Sequence, residues 1–90
     1  MLIMQTAEIE SEIRDFIVTN FLFGRKEALR DDAALFGGIL DSTGAIELVM
    51  FLQNRFSITV EDDEVGVPEN FGSLKKVVAF VEGKIHSKRD

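Results

Sequence analysis

Ser42 stands in the run Gly38-Ile39-Leu40-Asp41-Ser42-Thr43-Gly44-Ala45-Ile46-Glu47-Leu48-Val49-Met50, where a hydroxyl follows a carboxylate and precedes apolar residues at helical spacing. A serine hydroxyl acts as a catalytic nucleophile when a base takes its proton, and the one histidine of the chain, His86, lies near the C-terminus. No Gly-x-Ser-x-Gly elbow surrounds Ser42, so a hydrolase built from Ser42, His86 and Asp41 is not expected. Asp-Ser ahead of a helix is also an ordinary capping pair. Two features depart from capping alone. Gly44 in the first turn costs about 1 kcal/mol relative to Ala, and neither Asp41 nor Ser42 is followed three residues on by the Glu or Gln of a capping box.

The remaining chemistry-bearing groups are sparse. Without cysteine the chain forms no disulfide and no thiolate metal site, and one histidine does not make a zinc centre, so no metal is expected. Any thiol chemistry must be imported on a cofactor. Glu61-Asp62-Asp63-Glu64 followed by Gly66 suggests a calcium loop, but an EF-hand starting at Glu61 would place Val65 and Gly72 where oxygen ligands are required. The cluster reads as a solvated acidic surface.

Composition bounds the partners. Sixteen acidic against ten basic residues give a formal charge of -6, which repels phosphate backbones and attracts basic protein surfaces, so nucleic acid is not an expected partner. No apolar run approaches the ~20 residues that span a bilayer, and no membrane association is expected. Met1-Leu2-Ile3-Met4-Gln5 lacks a preceding basic region and is followed by Glu8, Glu10 and Glu12, unlike a secretory signal, which predicts a cytoplasmic protein. Ninety residues, 46% of them hydrophobic, suit one folded domain, 1–90, with a packed core and a monomer as the default.

The elements that must position Ser42 follow from periodicity. Ile9, Ile13, Phe16, Ile17 and Phe21 predict a helix over about 6–23, with Thr6 as N-cap and Gly24 as stop. A long loop, 24–41, follows, and a loop of that length is usually functional or pinned by its own side chains. Leu29, Leu35, Phe36 and Leu40 are the expected pins. The second helix, about 42–56, should bury Ala45, Leu48, Val49, Leu52 and Phe56. Another side carries Thr43, Ile46, Glu47, Met50 and Asn54, a second apolar stripe between polar residues that reads as a docking surface. Ser57-Ile58-Thr59-Val60 is expected to be extended, with Ile58 and Val60 inward, and no sheet is predicted. Turn formers around Pro68 leave room for one short helix at about 69–72. Ser73 then caps a final helix, about 73–86, with Leu74, Val77, Val78, Val81 and Ile85 on its apolar stripe and a frayed tail at His86-Ser87-Lys88-Arg89-Asp90.

The segment Leu40 to Phe56, followed by Ile58 and Val60, resembles the acyl carrier protein pattern of Asp-Ser-Leu, Glu-Leu-Val-Met, then Leu and Phe. The resemblance extends to the Asn70-Phe71-Gly72-Ser73-Leu74 entry and the final Leu-Val-Val-Val stripe. It implies an all-α, acyl-carrier-like four-helix bundle of three main helices and one short one, with a long first loop. It also implies a non-enzymatic function. A phosphopantetheinyl transferase, using coenzyme A and magnesium, would attach 4′-phosphopantetheine to Ser42, and the arm would carry acyl or aminoacyl intermediates as thioesters. Asp41 would serve recognition, and Thr43, Ile46, Glu47 and Met50 match positions where carriers meet partner enzymes. The implied partners are the transferase, an acyl- or aminoacyl-activating ligase, and downstream transferases or synthases.

Thr43 replaces the commonest Leu of the motif, and Gln53-Asn54-Arg55 stands where carriers of bacterial fatty acid synthesis tend to be acidic. Leu35-Phe36-Gly37-Gly38-Ile39-Leu40-Asp41-Ser42 is similar to D-alanyl carrier proteins, which points to a discrete carrier of a specialised biosynthetic pathway. Phe51, facing away from the predicted core, covers the long loop or adds to the docking surface. The alternative from another class is an unmodified helical protein–protein interaction module that binds through Ile46, Met50 and Phe51.

Overall fold

The structure, a computed structural model, describes residues 5–30 and 32–88. Among the described residues five α-helices follow one another: α1 (Thr6–Phe21), α2 (Ser42–Phe56), α3 (Asp62–Val65), α4 (Pro68–Phe71) and α5 (Leu74–Lys88). A 3-10 turn at Lys26–Ala28 interrupts the first loop, and no strand forms among the described residues. The architecture is the all-α, acyl-carrier-like one, with three main helices.

The core lies where the three apolar stripes converge. Ile9, Ile13 and Ile17 of α1, Leu48 and Leu52 of α2, and Leu74, Val77 and Val81 of α5 are all essentially inaccessible. Each such side chain contributes about 1.5–3 kcal/mol by leaving water. Leu29, Leu35 and Leu40 are buried with them, while Phe36 is half-buried and stacks on Phe71 at 5.4 Å between ring centroids. Ile58 and Val60 also turn inward, and Gln53 Oε1 accepts from the Val60 N–H at 2.9 Å.

Helices α1 and α2 run antiparallel, as three contacts along them record. Glu12 pairs with Arg55, Phe16 stacks on Phe51 with centroids 4.2 Å apart, and Phe21 reaches Gly44. The C-terminal end of α1 therefore lies beside the N-terminal end of α2.

Several expectations need correction. The N-cap of α1 is Gln5, whose N–H donates to Glu8 Oε1 at 2.8 Å, and the Thr6 hydroxyl is hydrogen-bonded instead to Glu82 of α5. Helix α1 ends at Phe21, because Phe23 and Gly24 both take the left-handed conformation (φ 53 and 80) and cannot continue it. The acidic cluster contains a helix that its composition did not announce. Glu61 and Glu64 form a capping box, and three acidic residues in that first turn favour the positive end of the dipole. The short helix predicted at 69–72 starts at Pro68, a residue suited to the first helical position. The tail predicted to fray at His86 is helical to Lys88, while residues 89–90 lie outside the described residues, as does all but Gln5 of the apolar Met1–Gln5 stretch. No helix among the described residues is long and apolar enough to cross a membrane.

Candidate functional site

The loop before Ser42 is tied down by its own backbone. Leu35 N–H donates to Gly72 O at 3.1 Å, and Arg14 Nη1 donates to Leu29 O at 2.6 Å, joining the loop to the C-cap of α4 and to α1. A tight turn follows, closed by Leu40 N–H to Leu35 O at 2.7 Å and Gly37 N–H to Leu40 O at 3.3 Å. Both glycines are required there. Gly37 has φ 82, and a Cβ on Gly38 would lie 2.4 Å from the carbonyl oxygen of Ala34.

The turn delivers Asp41 to the N-cap of α2. Its backbone is extended (φ -90, ψ -172), and its Oδ1 accepts from the Gly44 N–H at 2.8 Å. Ser42 is the first residue of the helix and is exposed. Among the described residues the N–H groups of Ser42 and Thr43 find no acceptor, so two free donors and the positive end of the helix dipole lie beside the Ser42 hydroxyl. That setting suits an anionic group on Ser42 Oγ.

Gly44 has a packing reason that its sequence context did not reveal. A Cβ there would meet Phe21 Cε1 at 3.0 Å, Asp41 Oδ1 at 3.3 Å and Leu40 Cδ2 at 3.4 Å. The glycine thus reflects the approach of α1 to the start of α2, rather than chemistry at Ser42.

Beyond the first turn, Thr43, Ile46, Glu47 and Met50 are all exposed, with Ile46 at 61% and Met50 at 55%. Ser42, Ala45 and Ile46, with Phe36, Leu40 and Val65, line an open trough of about 530 Å³. A larger hollow of about 660 Å³, between α1, α5 and the first loop, shares no residue with this trough. Phe51 does not belong to the exposed stripe. It is half-buried between Phe16 and Phe56, 6.2 Å from the latter and edge-on to it. Of the residues that make α2 less acidic, Asn54 is exposed, but two are engaged internally: Gln53 holds Val60, and Arg55 forms a two-pronged hydrogen bond with Glu12 while lying over the Phe56 ring. His86 is exposed on α5 and joins none of these residues.

No protein-family model matches the chain. Known proteins similar in sequence do exist. Over 75 residues, covering 82% of the chain and 85% of the relative, it is 33% identical to the "Probable acyl carrier protein PigG" of a Serratia species. It is 31% identical over 80 residues to a D-alanyl carrier protein of Streptococcus suis, covering 89% of the chain and 99% of that protein. A D-alanyl carrier protein from a second strain of S. suis is 32% identical over 81 residues.

Proposed function

The chain belongs to the acyl carrier protein family, and from that premise we propose that it is a discrete carrier bearing a 4′-phosphopantetheine arm on Ser42 Oγ. The observation that carries the reading is the exposed Ser42 hydroxyl at the first position of α2, directly after the Asp41 cap and beside two unpartnered N–H groups. A phosphodiester there is held by charge and dipole without needing a basic side chain.

In the modifying step Ser42 is a substrate. Its Oγ forms a P–O bond to the phosphate next to the pantetheine of coenzyme A, the anhydride bond to 3′,5′-ADP breaks, and the hydroxyl proton leaves to a base of the transferase. Asp41 positions the hydroxyl by fixing the first turn of α2 and offers its carboxylate for recognition. When bound, the arm supplies a terminal thiol that holds an acyl or aminoacyl cargo as a thioester. The chain itself catalyses nothing in this reading. Thr43, Ile46, Glu47 and Met50 dock the transferase, an activating ligase and downstream transferases or synthases of a specialised pathway. The apolar pair supplies contact area and Glu47 one ion pair.

The test is the intact mass after incubation with coenzyme A, magnesium and a broad-specificity phosphopantetheinyl transferase. A phosphopantetheine-sized gain is expected, absent from Ser42→Ala. A wild-type chain left unmodified beside a working control carrier, or a gain retained by Ser42→Ala, would refute the assignment.

A further inference from the structure

Phe23 is the most exposed large apolar side chain among the described residues, at 91%, and it stands in the left-handed region at φ 53. A bulky residue pays for that conformation and holds it where surrounding packing compensates. Phe23 has no such packing. Its neighbour Gly24 takes the same region freely, as any glycine at position 23 would.

The antiparallel register of α1 and α2 locates it. Contacts proceed from Glu12–Arg55 through Phe16–Phe51 to Phe21–Gly44, so the chain just beyond Phe21 reaches the level of the first turn of α2. Two residues extend the backbone by at most about 7 Å. Phe23 thus lies at the end of the molecule that holds Ser42. Arg25 and Lys26 follow it, exposed and without an ion pair among the described residues, and outnumber Glu27. In a chain of net charge -6 this is a local basic spot.

We propose that Phe23 is an apolar anchor for the phosphopantetheinyl transferase, seated in a recess of that enzyme whose rim presents carboxylates to Arg25 and Lys26. The inference rests on Ser42 being the attachment residue. An enzyme that brings coenzyme A within bonding distance of Ser42 Oγ must cover this end of the bundle. Opposite charge then favours an enzyme surface that brings acid to Arg25 and Lys26.

Initial rates of modification test it, followed by intact mass with coenzyme A, magnesium and a broad-specificity transferase while the carrier concentration is varied. Phe23→Gly suits the left-handed backbone and keeps the fold, which circular dichroism verifies. The expected result is a KM for the carrier raised about fivefold or more, with kcat kept. Arg25→Ala with Lys26→Ala should also raise KM at low salt and converge on wild type as salt increases. An unchanged KM in Phe23→Gly, or a loss confined to kcat, overturns the anchor. Absence of modification in the wild-type chain would instead overturn the Ser42 assignment, so the two failures are distinct.

Discussion

Phe21 Cε1 lies 3.0 Å from where a Cβ on Gly44 would stand, so the last residue of α1 and the first turn of α2 meet at a distance that a Cβ would have to widen by a few tenths of an ångström. Gly44→Ala gains about 1 kcal/mol of helix propensity but overpacks a site closed on three sides, a loss of about 1–3 kcal/mol. The expected net change is a destabilisation of about 1 kcal/mol in urea unfolding. Gly83 gives the opposite case. It is exposed within α5 with nothing within 4 Å of an added Cβ, and Gly83→Ala should stabilise by about 1 kcal/mol in the same experiment.

Leu52 and Met50 lie two residues apart on α2 and face opposite environments. Leu52 is wholly buried and Met50 is 55% exposed. Leu52→Ala should cost roughly 2–5 kcal/mol. Met50→Glu should alter stability by no more than about 0.5 kcal/mol while slowing modification of Ser42 at low carrier concentration. Denaturant midpoints and modification rates, measured on both variants, check the pair. Equal stability losses would contradict the assigned facing.

Glu64 links α3 to its own N-terminus and to α5. The backbone N–H of Glu61 donates to its carboxylate at 2.8 Å, the larger influence, and Lys84 Nζ lies 2.9 Å away; together they hold its pKa below the ordinary 4.5. A depressed folded-state pKa means that the unfolded chain binds more protons between the two values, so stability rises with pH across that interval. The contribution is fully present above the ordinary value and is lost as pH falls through the folded one. Glu64→Gln should therefore be less stable than wild type at neutral pH, with the gap closing in urea titrations below about pH 4.5.

What was legible in the sequence is what periodicity encodes. Ile9, Ile13 and Ile17, Leu48 and Leu52, and Leu74, Val77 and Val81 repeat at helical spacing, and each set is buried. The exposed Ile46 and Met50 followed from the same wheel, as did the inward Leu29, Leu35 and Leu40 from their isolation in a polar loop. What escaped depended on contacts distant in sequence or on unusual caps. Arg55 and Glu12 are 43 residues apart, so the internal use of a cation on α2 could not be read locally. Phe51 was placed outside the core by a wheel that knows nothing of Phe16. Helix α3 starts on a glutamate rather than a serine or threonine, and Gln5 displaced Thr6 by a similar device. Phe23 looked like one more helical residue, since nothing in its type signals a left-handed backbone.

Under the proposed attachment of an arm to Ser42, the brace around that residue bears on how a tethered cargo is delivered. Leu40 is bonded back to Leu35, Asp41 is locked onto the Gly44 N–H, and Phe21 closes over the glycine, so both flanks of the serine are held. A leash tied to a stiff post sweeps a volume whose centre does not wander. The effective concentration of cargo at a docked enzyme is then governed by leash length and by the pose of the enzyme, with little dilution from movement of the post itself.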